Sequence, residues 1–178
     1  MIKLDDIDFR MLEILQTDGR IPVLDLADRV GLSPTPCSRR LRRLEREGII
    51  ANYYAAVNPK AVGLDVMAFV SVRVRHSAER AAEFSAAIQK MLNVRGCYRL
   101  TGHYDYLLRV HAANMQSFSK WLQDRLHAMP CVLHSHTSII MESIKDDPVL
   151  PLADLSAISR PGLTPSRLVP RGKNANWP

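Results

Sequence analysis

The chain has 178 residues, 47% of them hydrophobic, and a formal net charge of +6 at pH 7, which is enough apolar material for one or two packed domains. Its first 60 residues hold ten Lys and Arg against nine Asp and Glu, so a cationic feature there is a local patch and not a basic tail. Cys37, Cys97 and Cys131 are odd in number and widely spaced, which argues against a disulfide framework and for a reducing, cytoplasmic setting. The opening MIKLDDID lacks the apolar run of a signal peptide, and no stretch is apolar enough to be expected in a membrane.

Taken in order, Asp5 or Asp6 is expected to cap a first helix in which Ile7, Met11, Ile14 and Leu15 keep helical spacing, closed at Asp18-Gly19. Pro22 suits the opening of a second helix of about two turns, carrying Leu24, Ala27 and Val30 and ended by Gly31. Ser33 then caps a third helix, with Pro34 and Pro36 in its opening turn. The link Gly31-Leu32-Ser33 has the length of the turn in a helix-turn-helix.

At about 100° per residue, Cys37, Leu41 and Leu44 of the third helix form an apolar seam, while Thr35, Arg39, Arg42, Arg43 and Arg46 gather on the opposite face. A guanidinium fork donates two parallel hydrogen bonds to phosphate or to guanine, so the segregation points to double-stranded DNA. A merely solvated basic face is the blander alternative. After Gly48, IIANYYAAVNP is rich in β-formers and reads as one or two short wing strands and an exit linker, with Tyr53 and Tyr54 as packing residues. The domain boundaries follow as 1–57 for the helix-turn-helix unit and 58–65 for a linker.

From Val66 the period becomes two, with Val66, Ala68, Val70, Val72 and Val74 alternating against Met67, Phe69, Ser71, Arg73 and Arg75. A helix over 78–92 presents Ala81, Phe84, Ile88 and Met91. Strands follow over 94–101 and 104–112, then a helix over 114–128 with Met115, Phe118, Leu122 and Leu126, with Trp121 packing, and a last strand over 131–141. This order, βαββαβ, folds as a four-stranded antiparallel sheet with both helices on one face, the ferredoxin-like arrangement. The predicted class is α+β, with 66–145 as the second domain. Met67, Phe69, Leu107, Ile139 and Met141 are expected on the uncovered face, which invites a second copy and a homodimer. Six of the eleven prolines fall between Pro148 and Pro178, so 146–178 reads as a disordered tail. Within it Leu168-Val169-Pro170-Arg171-Gly172 resembles a protease cleavage sequence.

The combination of LDDIDFRMLEILQTDGRIPVLDLADRVGLSPTPCSRRLRRLEREGII with a βαββαβ domain containing TGHYDYLLRV resembles the Lrp/AsnC, or feast/famine, transcription regulators. The likeness spans residues 3–145 and is sharpest at GLSPTPCSRRLRRLEREG and at the G-x-Y-D turn of Gly102 to Asp105. It implies a winged helix-turn-helix, a homodimer built through the C-terminal sheets that assembles further to an octamer, and an amino-acid effector. Carried onto this chain, the recognition helix is 34–47, with Ser33, Thr35, Ser38, Arg39, Arg42 and Arg43 facing DNA. The implied effector cleft takes Leu100, Thr101, Gly102, His103, Tyr104 and Asp105, with Ser135, Thr137 and Ser138 of the last strand facing it. Where the family usually has an acidic residue this chain has His103, which reverses the local charge when protonated.

No phosphate-binding glycine loop, nucleophile elbow or HExxH occurs, so catalysis has no motif to support it. His134 and His136 share one side of a strand, but no matching Cys or acidic cluster accompanies them, and neither a metal nor any other cofactor is expected. The reading is a sequence-specific transcription regulator responding to an amino acid or related small molecule. An architectural DNA-wrapping protein is the first alternative, and a metabolite-binding module or enzyme the second.

Overall fold

In the computed structural model, which describes residues 4–75 and 77–152, Asp5 opens helix α1 (Asp6–Thr17) with a reciprocal cap. The Asp8 amide donates to Asp5 Oδ1 at 2.9 Å and the Asp5 amide donates to Asp8 Oδ2 at 3.1 Å, so two of the helix's orphan donors are satisfied. Helix α2 (Val23–Val30) ends at Gly31, whose φ of 72° is the left-handed conformation that stops a helix without a Cβ penalty. Helix α3 (Pro34–Arg46) follows after two more residues. Met11, Leu12, Leu26, Ala27, Val30, Cys37 and Leu44 form the core of this trihelical unit, with the expected Cys37–Leu44 seam pointing inward.

The wing strands expected from IIANYYAAVNP do not form among the described residues; residues 51–58 carry no regular structure. A strand needs a partner to take up its N–H and C=O groups, and here the amides of Ile49 and Ile50 both donate instead to the Leu44 carbonyl, at 3.0 and 3.1 Å. Of the two tyrosines expected to pack, Tyr54 is 75% exposed and Tyr53 only partly covered, at 42% exposed: its hydroxyl donates to Glu45 Oε1 at 3.0 Å and its ring lies against Gly19. Burial, and then the Glu45 carboxylate, push its phenol up to about 12.

The second unit comprises residues 56–146. Its strands are β1 (Val66–Val74), β2 (Val94–Arg99), β3 (Tyr106–Ala112) and β4 (Val132–Ile139), with α4 (Ala78–Gln89) after β1 and α5 (Met115–Trp121) after β3. The sheet is antiparallel in the order β2-β3-β1-β4, the α+β ferredoxin-like topology expected. Val66, Ala68, Val70, Val72 and Val74 of β1 are buried with Leu108 and Val110 of β3 beneath Phe84, Ile88, Phe118 and Leu126.

Three details differ from expectation. The second long helix changes to a π-helical turn over Leu122–His127, and Met115 at its start, expected on the packed face, is exposed. Residue Ile139 pairs with Ala68 and so lies on the helix side of the sheet, and Met141 lies beyond the strand, exposed. A register shift at Arg73/Val74 sets this parity, leaving Met67, Phe69 and Leu107 as the apolar part of the uncovered face. Residues 147–152, expected to start the tail, belong to the trihelical unit; the rest of the tail, 153–178, with the Leu168 to Gly172 sequence, lies outside the described residues.

Candidate functional site

The DNA-facing candidates separate into two groups once α3 is seen from its neighbours. Thr35, Arg39 and Arg42 are exposed, Ser38 is half-buried, and together with Arg46 they line one shallow concavity that Val23 and Pro34 complete. Exposed Ser33 holds the cap position but makes no side-chain cap hydrogen bond; Pro36 lacks one of the two N–H groups a cap oxygen can accept, and the Thr35 amide is left as the other.

Arg43 differs from Arg39 and Arg42 in being half-buried and tied to α1, although it also lines a second concavity with Arg39, Arg40 and Arg46. Its Nη2 is ion-paired with Asp8 Oδ2, and its buried Nε stands 4.0 Å from Glu47 Oε2, an ion pair without a hydrogen bond. Arg40 Nη1 donates to Asp8 Oδ1 at 2.9 Å and to Asp5 Oδ2 at 2.7 Å. The reason is angular: Arg43 sits about 60° from Arg40 around the helix, on the flank that faces α1. Asp8 is fully buried, and a buried carboxylate persists only with cationic and hydrogen-bonded partners. The two arginines thus bolt α3 to α1, while Arg39 and Arg42 stay exposed and Arg46, also exposed, lies 3.9 Å from Glu47 Oε1. Arg46, whose side chain is 76% exposed, lines the same concavity as Thr35, Arg39 and Arg42, and its position within the arginine face was the signal for it.

Those hydrogen bonds to Asp5 and Asp8 push the Arg40 guanidinium further up. At Asp5 burial works in the opposite sense, but the hydrogen bond from the Asp8 amide and the Arg40 guanidinium outweigh it and hold the carboxyl below its ordinary range. A lowered carboxyl adds stability that is present above its unfolded pKa, about 3.9, and is lost as pH falls through its folded value. The trihelical unit is therefore expected to melt at progressively lower temperature below about pH 4, and Asp5→Asn to remove part of that slope. Equal slopes in calorimetry of both chains would show that the Asp5 charge is idle.

In the second unit the turn between β2 and β3 carries the effector candidates. Gly102 has φ 112°, a conformation that L side chains rarely adopt, and it lets Leu100, Thr101 and His103 stand exposed. Tyr104 is the hub: His103 meets its ring edge-on at 5.0 Å, and His134 and His136 lie 6.2 and 6.5 Å away, all ring centroid distances. Asp105 is tied to the sheet, its Oδ2 accepting from the Val74 amide at 2.8 Å and its own amide donating to the Val72 carbonyl at 3.0 Å. The carboxylate therefore positions the turn first of all.

The hydroxyls of β4 do not share one cleft. Ser135 and Thr137 pair with Val72 and Val70 and point toward the helices, whereas Ser138 pairs with Phe69 on the other face, since alternate residues of a strand face opposite ways. Ser135 Oγ is 2.8 Å from His127 Nε2 of the π-helical turn. His134 and His136, on the uncovered face, are the β4 residues that approach the turn. Among the described residues no group of three or more His, Cys, Asp or Glu is placed to hold a metal ion.

Residues 4–51 match a family model described as winged helix-turn-helix DNA-binding, and residues 67–150 match the Lrp/AsnC ligand binding domain. The leucine-responsive regulatory protein of Salmonella typhimurium is 41% identical over 143 residues, 80% of this chain and 87% of that one. The chain belongs to the Lrp/AsnC family. A proline dehydrogenase transcriptional activator from Rhizobium radiobacter is 39% identical over 80% of this chain and 92% of its own. Among solved structures, a Neisseria meningitidis transcriptional regulator in complex with L-methionine superposes with a TM-score of 0.83 at 37% identity, over 86% of this chain and 99% of its own. The family places this chain among transcription regulators with a DNA-binding and a ligand-binding domain, not among enzymes. No helix of the described residues is long and apolar enough to cross a membrane.

Proposed function

We propose that this regulator reads double-stranded DNA as a cytoplasmic homodimer, with α3 in the major groove and an amino acid as effector at the Leu100 to Asp105 turn. The observation that carries the DNA half is the exposed row Thr35, Arg39, Arg42 and Arg46 on a helix that Asp8 holds in place. Two-fold symmetry would require a roughly palindromic site with half-sites about one helical turn, or a multiple, apart. Gel retardation against fragments of the source genome is the test, and a ratio of specific to non-specific affinity near unity would favour the wrapping alternative. In a salt titration, Arg42→Ala is expected to weaken all fragments alike and to lower the salt slope by about one unit; an unchanged slope removes Arg42 from the phosphate contacts.

For pairing, the support is the half-buried Met67, Phe69 and Leu107 on the sheet face that the helices leave open. Assembly beyond the dimer to an octamer is part of the proposal, and sedimentation across concentrations tests it. For the effector, the support is the ligand-domain match and the L-methionine complex of the Neisseria relative. Calorimetry against the common amino acids should find at least one that binds and alters DNA retention, and His103→Asp should change which one binds or how tightly. No heat with any of them, and no change in retardation, would count against amino-acid sensing.

A further inference from the structure

Gln16, in the last turn of α1, grips the Leu150 backbone with both ends of its carboxamide. Its Nε2 donates to the Leu150 carbonyl at 3.2 Å and its Oε1 accepts from the Leu150 amide at 2.7 Å. A side-chain amide used in this way takes the donor and acceptor of one residue together, as a neighbouring strand does. Two residues on, Leu152 packs against the trihelical core, and upstream Asp147 Oδ1 accepts from the Val149 amide at 3.1 Å, setting the turn that leads in. The match to the ligand-binding domain runs through residue 150. The segment therefore comes from the sequence of one domain and docks on the other.

We infer that residues 147–152 are a releasable strap through which the ligand-binding domain acts on the DNA-binding unit, with Gln16 as its receptor; this rests on the regulated DNA binding proposed above. Helix α1 bears Gln16 near one end and Asp8 near the other, and Asp8 holds Arg40 and Arg43 of the recognition helix. One rigid element thus joins the strap to the reading surface. At its other end the strap continues from β4, the strand of His134 and His136, through an exposed run over 141–148. Two hydrogen bonds and one half-buried leucine barely offset the entropy of ordering six residues. A segment so lightly held responds to a small bias from either side.

The test compares the full chain with chains ending at Leu152 and at Asp146, and with Gln16→Ala. Each is assayed on a fragment retained from the source genome by the full chain. The chain ending at Leu152 should match the full chain. The chain ending at Asp146 and Gln16→Ala should both lose affinity, by about fivefold, and should exchange the amides of the last turn of α1 correspondingly faster, with unchanged sedimentation and unchanged exchange in the sheet. If the chain ending at Asp146 matches the full chain in affinity and in α1 exchange, the strap is refuted. Altered sedimentation with unaltered α1 exchange refutes it too, placing the segment's role in assembly. Should the full chain retain no fragment, it is the DNA-binding reading that fails, and the exchange comparison alone decides the strap.

Discussion

Asp8→Ala is expected to cost the trihelical unit about 3–5 kcal/mol, the penalty for breaking a buried ion pair by removing one partner. Asp8 has no exposed surface and takes hydrogen bonds from Arg40, Arg43 and the Asp5 amide. Its loss leaves two guanidinium groups facing a small cavity and removes half of the cap on α1. The arginine side chains are 26% and 32% exposed, so water relieves part of the cost and the lower end of the range applies. For a unit of this size about 3 kcal/mol lowers the unfolding temperature by roughly 12–24 °C. Operator affinity should fall with it, because α3 loses the bolts that fix its angle. Calorimetry and amide exchange of α3 measure both, and a shift below about 3 °C would rank the network with ordinary exposed pairs. Asp8→Asn, which keeps the shape but drops the charge, should fall between.

Phe84→Ala should be as damaging to the other unit, at about 3–5 kcal/mol. The ring is fully buried under α4, 4.7 Å from the ring of Tyr106, and it fills the space between helix and sheet. Removing it takes away the contact area and opens a cavity that a sheet on one side and a helix on the other cannot close. The two substitutions fall in separate cores, so each should move one thermal transition and leave the other in place. A single transition that shifts with both would show that the units unfold as one. If the open sheet face pairs with a second copy, the transition lowered by Phe84→Ala should also rise with protein concentration.

Much of this is legible in the amino-acid sequence. Gly31, Pro34 and the Cys37-Leu41-Leu44 spacing sufficed for the helix-turn-helix, and the valines of β1 for a half-covered sheet, because these are local signals whose period is imposed by backbone geometry. Asp8 was missed as a structural centre because its local partner, the Asp5 amide, does not neutralise a buried carboxylate, and the arginines that do stand 32 and 35 residues away. For the same reason the ion pair of Arg43 with Asp8 was not foreseen, since a helical wheel ranks a side chain by angle and cannot know what waits on that flank. Ser135, Thr137 and Ser138 were grouped as hydroxyls along one strand, although alternation alone separates Ser138 from the other two.

The sequence by itself determined the class of the two domains, their order and the cationic row on α3, because periodicity, caps and turns are short-range consequences of side-chain type. Only the tertiary structure decided which arginines are tied to α1. Asp8 claims Arg40 and Arg43 for the fold, while Arg39 and Arg42 are exposed and Arg46 stands beside Glu47. It also brought residues 147–152 back to α1 through Gln16, over 134 positions of chain. Both outcomes depend on hydrogen bonds between residues far apart in sequence, whose net free energy appears only when the chain's own packing excludes water from one end of the pair.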